Sequence, residues 1–337
     1  MFVNAASHCR QSVWNWNSPS ITCKQSEPLM SKPSQIVFGA VLFCALCFWC
    51  QAQPQTTNTV QPGRGSFVLV EASKLYYEEC GTASQTVVLI HDGVVNSAVW
   101  DDVWPEFCKH FHAIRYDRRG YGRSPAATTW YSETDDLVTL LHYLKVDHAA
   151  LVGSSHGGEL SIDFTLAHPE IVQQLVLVGA VVSGMPYSEH FLDRGKHAFQ
   201  LLDKGDMKGA ISEWSKDKYL IAPGNDAARK RLFDLLSSNP QDMNHPDYPP
   251  RPKPALSRLH EIRVPTLLLV GDADIPDVHA HAGAIEAGIP RARPVVIAGV
   301  GHIMYLEKPA EFSRLAISFI EQNGNGSEGR PNAAGLR

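Results

Sequence analysis

From residue 66 onward the chain alternates between short apolar runs and longer stretches with apolar residues at three- to four-residue spacing. Ser66–Glu71 and Lys74–Glu79 read as two strands, and Gly81 to Gln85 as a turn. Thr86–Ile90 is continuously apolar, the pattern of a strand covered on both faces. After it come a predicted helix at Ala98–His110, a strand at His112–Tyr116, a helix at Glu133–Leu144, a strand at Ala149–Val152, a helix at Glu159–Ala167 and a strand at Gln174–Val178. The rhythm resumes with a strand at Thr266–Val270, a helix at His279–Ala287, a strand at Pro294–Ile297 and a helix at Ala310–Glu321. Strand and helix in alternation, joined by right-handed crossovers, predict a mostly parallel sheet with helices on both faces.

Two regions break the pattern. Between about Ser183 and His260 no strand is evident. Glu189–Leu202, Met207–Lys218 and Asn225–Leu236 read as helices, and a stiff proline-rich return follows from His245 to Pro254. Residues 183–260 are therefore expected to form a helical cap inserted into a core made of residues 66–182 and 261–323. Trp214, Tyr219, Phe199 and Leu220 are candidates either to line the pocket under the cap or to form its own small core. The second break is the N-terminus. Ile36–Trp49 is an apolar run of 14 residues, shorter than the roughly 20 that cross a bilayer but suited to a signal peptide. Lys32 precedes it, and cleavage after Ala52 is expected, with an uncleaved N-terminal anchor as the alternative. Residues 1–52 then form an extension and signal peptide, with Met1 or Met30 as the start, 53–65 a linker, and 324–337 a disordered tail.

Composition adds constraints. Hydrophobic residues make up 44% and charged residues 19% of 337, enough apolar content for a large core. The formal charge of −5 and the absence of a Lys/Arg run argue against a nucleic-acid partner. Export would leave only Cys80 and Cys108 in the mature chain, open either to one disulfide or to two separate thiols. The expected localisation is secreted or periplasmic, with no stable membrane insertion after cleavage. The oligomeric state is open.

The candidate chemistry sits at the ends of predicted strands. Gly153-Ser154-Ser155-His156-Gly157 fits G-x-S-x-G, a sharp strand-to-helix turn that holds a serine hydroxyl proud of the chain. The glycines permit the bend and the close approach of the following helix. A serine needs a base. His302, within Gly299-Val300-Gly301-His302, lies on the loop before the last helix and is the candidate. The base needs an acid to fix its tautomer. Asp274 is preferred on the loop after Val270, with Asp272 the runner-up and Asp277 a third carboxylate nearby. Backbone N–H groups of His156 and Gly93, with Val94 as fallback, would form an oxyanion hole. The side chain of His91 is expected to bond the loop backbone. The order Ser, Asp, His, each after a parallel strand, fits the edge where open α/β sheets carry their sites. No cofactor is expected, and no zinc-type spacing of His, Asp or Cys is seen beyond the leader.

With these residues in place, the chain resembles the α/β-hydrolase superfamily from about Ser66 to Asn323. The likeness is to its small esterase, enol-lactonase, C–C hydrolase and non-haem haloperoxidase group. Asp117-Arg118-Arg119-Gly120-Tyr121-Gly122-Arg123-Ser124 matches the D-x-R-G-x-G-x-S loop, and Val264-Pro265-Thr266 and Glu307-Lys308-Pro309 with Phe312 also fit. The resemblance implies an eight-stranded sheet, a helical cap and a serine hydrolase acting on a small-molecule ester or related acyl bond. The alternatives are a ligand receptor that keeps the triad, an acyltransferase, or a haloperoxidase-like enzyme. One departure stands out. Asp92 follows His91 where the family usually has glycine, so a carboxylate would either repel anionic substrates or point outward.

Overall fold

The computed structural model describes residues 65–243 and 253–324. The expected leader, nearly all of the linker, most of the proline-rich return and all but the first residue of the tail lie outside the described residues.

Eight strands form one sheet: β1 (Ser66–Val70), β2 (Ser73–Cys80), β3 (Thr86–Ile90), β4 (His112–Tyr116), β5 (Ala149–Ser154), β6 (Val172–Val178), β7 (Thr266–Gly271) and β8 (Ala292–Ile297). Their order is β1-β2-β4-β3-β5-β6-β7-β8, antiparallel for β1–β2 and β2–β4 and parallel for every other pair. The pleat divides the central strands between two cores. Val87 and Leu89 of β3 pack on one side, with Phe107 of α1 (Trp104–His110) and Phe312 of α9 (Pro309–Gly324). Val88 and Ile90 pack on the other. Their neighbours there come from α2 (Glu133–Tyr143), α3 (His156–Ala167) and α7 (Pro276–Gly288), through Leu140, Phe164 and Ile285. The apolar run of β3 thus has a mate on each face.

Among the described residues between β6 and β7 are three α-helices: α4 (Glu189–Asp203), α5 (Met207–Ser215) and α6 (Asp226–Ser238). Their inward residues Ala198, Ala210, Trp214 and Leu232 join the core shared by α1 and α9. Helix α5 ends earlier than its periodicity predicts. The Asp217 carboxylate accepts from the N–H groups of Tyr219 and Leu220, and Arg229 donates to the carbonyls of Ser215 and Asp217. These bonds give the backbone an alternative to another helical turn. The predicted helix at 98–110 is likewise divided into a 3-10 turn at Ser97–Trp100 and α1. Pro105 lacks the N–H that would continue the first piece, and it is well placed in the first turn of a new helix.

Cys80, at the end of β2, and Cys108, in α1, are joined by a disulfide with a Cα–Cα distance of 5.3 Å.

Candidate active site

Every candidate residue lies just beyond the C-terminal end of a parallel strand. Ser155 leaves β5 with φ +51° and ψ −115°, a conformation that L residues rarely adopt. Such a residue costs on the order of 1–3 kcal/mol and persists only when its surroundings fix it. Here they do. The Ser155 N–H donates to Val178 O at 2.9 Å, extending the β5–β6 ladder. The turn also needs bare backbone beside it. A Cβ on Gly153 would lie 2.3 Å from Gly157 O and Ser161 Oγ, and one on Gly157 would lie 2.4 Å from the carbonyls of Ile90 and His91. Helix α3 consequently starts at His156, against the sheet edge, three residues before its apolar periodicity becomes visible.

Asp274 and His302 meet as expected. His302 Nδ1 lies 2.8 Å from Asp274 Oδ2, and the other carboxylate oxygen accepts from the Ile275 N–H at 2.7 Å. A carboxylate only accepts, so Nδ1 carries the ring proton and Nε2 keeps its lone pair. Burial pulls the His302 imidazole down, and the charge and hydrogen bond of Asp274 outweigh it, leaving the ring above its ordinary value of 6.5. The pair lies over Gly179, where a Cβ would stand 3.0 Å from His302 Nδ1 and 3.3 Å from Asp274 Oδ2. Gly179 directly follows Val178, the acceptor of the Ser155 amide. The Ser155 backbone is thus bonded to the residue next to the one over which the Asp274–His302 pair lies.

The other two carboxylates serve elsewhere. Asp272 Oδ1 accepts from the Gly299 N–H and shapes the loop before His302. Asp277 accepts from the N–H and hydroxyl of Ser188, anchoring the start of α4. The His302 loop is also fastened to the segment after α5, because the His302 and Ile303 N–H groups donate to Tyr219 O and Leu220 O. Glu307 secures it from below, accepting from Gly301 N–H at 2.6 Å and Ala222 N–H at 2.8 Å.

The loop after β3 lies beside the elbow. A Cβ on Gly93 would be 3.6 Å from His156 Cβ. The Val94 N–H is engaged by Asp92 Oδ1 at 2.8 Å, which leaves Gly93 as the donor this loop offers. His91 is fully buried. Its Nδ1 donates to Asp92 O and its Nε2 accepts from the Arg118 N–H. Burial holds this imidazole well below its ordinary range, so it is neutral.

Asp92 corrects the sequence reading. Its carboxylate faces neither substrate nor solvent. It is 1% exposed, with Oδ1 accepting from the Val94 and Val95 N–H groups and Oδ2 from the Tyr305 hydroxyl at 3.0 Å. Tyr305 Oη is also 3.1 Å from Ser154 Oγ. The carboxylate is turned inward because the loop supplies two amides and α8 (Met304–Glu307) supplies a hydroxyl. Phe199 is 52% exposed and packs edge-on against Trp214. Leu220 is buried in the core. Trp214 and Tyr219 line a cleft of about 220 Å³, together with Arg194, which is paired with Asp217 at 3.2 Å.

Sequence reasoning passed over several polar residues around the site. Arg118 is buried and its guanidinium donates in three directions: from Nε to Glu133, from Nη1 to the carbonyls of His91 and Asp92, and from Nη2 to His156 Nδ1. Asp242 accepts from Asn96 Nδ2 and the Gly122 N–H, each at 2.7 Å, tying the chain after α6 to the core loops. Burial pushes its carboxyl up to about 7 despite those bonds. Arg118 falls on an unspecified position of the D-x-R-G-x-G-x-S match, whose arginine is Arg119, so the motif itself did not point to it. Among the described residues no cluster of three His, Cys, Asp or Glu side chains is arranged to hold a metal ion.

The sequence profile of the alpha/beta hydrolase family matches residues 87–315. The chain belongs to that family, and it is a hydrolase built on the family's fold. Among curated proteins it is 26% identical over 275 residues to the 2-hydroxy-6-oxononadienedioate/2-hydroxy-6-oxononatrienedioate hydrolase 2 of Pseudomonas putida, covering 74% of this chain and 92% of that protein. The corresponding hydrolase of Escherichia coli strain K12 is 25% identical over 299 residues, covering 80% and 98%. Among solved structures, Est816, described as an N-acyl homoserine lactone degrading enzyme, aligns with a TM-score of 0.61 and 28% identity, covering 75% of this chain and all of that one. The esterase EaEST of Exiguobacterium antarcticum aligns with a TM-score of 0.65 over 77% of this chain and all of its own, at 22% identity, a likeness of fold.

Proposed function

We propose that the protein is an exported serine hydrolase that cleaves a small-molecule ester or related acyl bond through an acyl-enzyme. The observation that carries this reading is the Asp274–His302 hydrogen bond, set over Gly179 beside the strained Ser155 turn. In the first step Ser155 Oγ bonds to the substrate carbonyl carbon while its proton passes to His302 Nε2. The carbonyl oxygen becomes an oxyanion, held by the N–H groups of Gly93 and His156. Collapse breaks the bond to the leaving group, which departs with the proton from His302. Water then repeats the sequence on the acyl-enzyme and releases the acid.

The likeness to Est816 supports acyl cleavage, since a lactone is a cyclic ester. Export is supported by the apolar run at residues 36–49 and by the Cys80–Cys108 disulfide, a bond that persists in oxidising compartments. The helices between β6 and β7 act as the cap that selects the substrate.

Steady-state hydrolysis of 4-nitrophenyl esters of increasing acyl length tests the proposal. The wild type turns over at least one of them, and Ser155→Ala lowers kcat by about 10⁴-fold or more without unfolding the protein. A folded Ser155→Ala enzyme with wild-type turnover refutes it.

A further inference from the structure

The guanidinium of Arg118 reaches both the carbonyl of the peptide that carries the Gly93 N–H and the imidazole of His156. Its Nη1 lies 3.1 Å from Asp92 O and its Nη2 lies 2.8 Å from His156 Nδ1. Asp92 O belongs to the same peptide plane as the Gly93 N–H. In a trans peptide these two groups point in opposite directions. A donor fixed on the carbonyl therefore fixes where the amide hydrogen points. Asp92 O has two such donors, because His91 Nδ1 also reaches it at 2.8 Å. Hydrogen bonds to a carbonyl also polarise its amide and make the N–H a better donor. The next peptide is held as firmly, with Gly93 O accepting from the Tyr121 hydroxyl at 3.1 Å and Val94 N–H bound to Asp92 Oδ1.

Arg118 is itself held in place. Its side chain is 2% exposed, its Nε donates to Glu133 Oε1 at 2.8 Å, and its plane lies over the Tyr121 ring at 5.0 Å. Burial works against its charge, and Glu133 outweighs that effect, so it stays cationic. A permanent positive charge is thus fixed beside the carbonyl of the Asp92–Gly93 peptide and the His156 ring.

We infer that Arg118 is the positioning residue of the oxyanion hole, orienting the Gly93 N–H through Asp92 O and the His156 end through its imidazole. This rests on the acyl-transfer reading above. Binding of the planar substrate makes little use of these donors, whereas the tetrahedral oxyanion depends on them. The defect on losing Arg118 therefore falls on kcat rather than KM.

The test compares wild type, Arg118→Met, Arg118→Lys and Glu133→Gln on 4-nitrophenyl butyrate. Each is also titrated with butaneboronic acid, which becomes tetrahedral on Ser155, and with butyramide, which stays planar. Arg118→Met is expected to lower kcat by about 10²–10³-fold, the usual effect of losing an oxyanion donor. Boronate affinity falls in proportion, while KM and butyramide affinity stay within about threefold, the low end of the net worth of one hydrogen bond. Arg118→Lys restores the charge without the fork and recovers only part of the loss. Glu133→Gln, which keeps the buried arginine, serves if the Arg118 variants do not fold, and its kcat and boronate affinity must fall together. A folded Arg118→Met enzyme with wild-type kcat overturns the inference. So does a kcat loss with unchanged boronate affinity, or a Glu133→Gln enzyme unchanged in both while the Arg118 variants fail to fold. A wild type that hydrolyses none of the 4-nitrophenyl esters and does not bind the boronate removes the acyl-transfer reading itself, and with it the role of Arg118.

Discussion

The imidazole of His302 donates from Nδ1 to Asp274 Oδ2 across 2.8 Å, and that carboxylate is closed to solvent. The bond fixes the tautomer, so on the proposed mechanism the lone pair on Nε2 is the base. It also sets the pH at which the base works. Only the neutral ring accepts a proton from Ser155. Because Asp274 holds the imidazole above 6.5, activity is lost on acidification earlier than an isolated histidine would lose it. The acid limb of kcat/KM against pH is expected to have its midpoint above 6.5. Asp274→Asn should shift that limb towards lower pH and lower kcat by about 10⁴-fold. A pH profile that Asp274→Asn leaves in place would count against the assignment.

Gly153→Ala tests the elbow. A methyl group there meets the Gly157 carbonyl and Ser161 Oγ at 2.3 Å, with backbone on one side. The helix must shift, carrying His156 and displacing Ser155. A misplacement of about 1 Å costs on the order of 10² in rate. The variant should therefore lose at least that much in kcat, with a urea midpoint below that of the wild type. Unchanged kcat would mean that the turn tolerates more than its contacts allow.

Much of this was legible in the chain because the signals are local. The run Thr86–Ile90 needs no tertiary information to read as a doubly covered strand, and glycines around Ser155 and His302 mark tight loops. Of the two carboxylates after β7, Asp274 reaches the ring and Asp272 reaches the Gly299 amide. What sequence could not give was the polar wiring beneath the loops. Arg118 binds residues 91, 92, 133 and 156, and nothing in the order of residues brings those together. Asp92 was misread for the same reason, since its partner Tyr305 lies 213 positions away. Helix ends were misplaced where a side chain outcompeted the backbone, as Asp217 does after α5.

Tyr305→Phe removes the only side-chain donor to Asp92 Oδ2 among the described residues and leaves that oxygen buried. An unsatisfied buried acceptor costs about 1–3 kcal/mol, more when charged. Urea denaturation should show a loss of at least that order with little change in the slope of the transition. A stability equal to wild type would show that the loop reorganises to recover the bond.

The Cys80–Cys108 disulfide closes a separation of 28 residues and clips the end of β2 to α1. A loop of that length corresponds to about 3–4 kcal/mol of stabilisation through the unfolded chain. Thermal melts with and without dithiothreitol, repeated on Cys108→Ala, should show the loss in the reduced wild type and no further effect of reductant in the variant. Identical melts in both conditions would argue that the pair contributes nothing.

On the proposed mechanism Ser155 is a nucleophile activated by His302. Labelling with a fluorophosphonate probe, followed by peptide mass mapping, tests it most directly. A single adduct is expected on the peptide containing Ser155, absent in Ser155→Ala and formed far more slowly in His302→Ala. Labelling at another residue, or labelling at Ser155 that proceeds at the wild-type rate without His302, would contradict it.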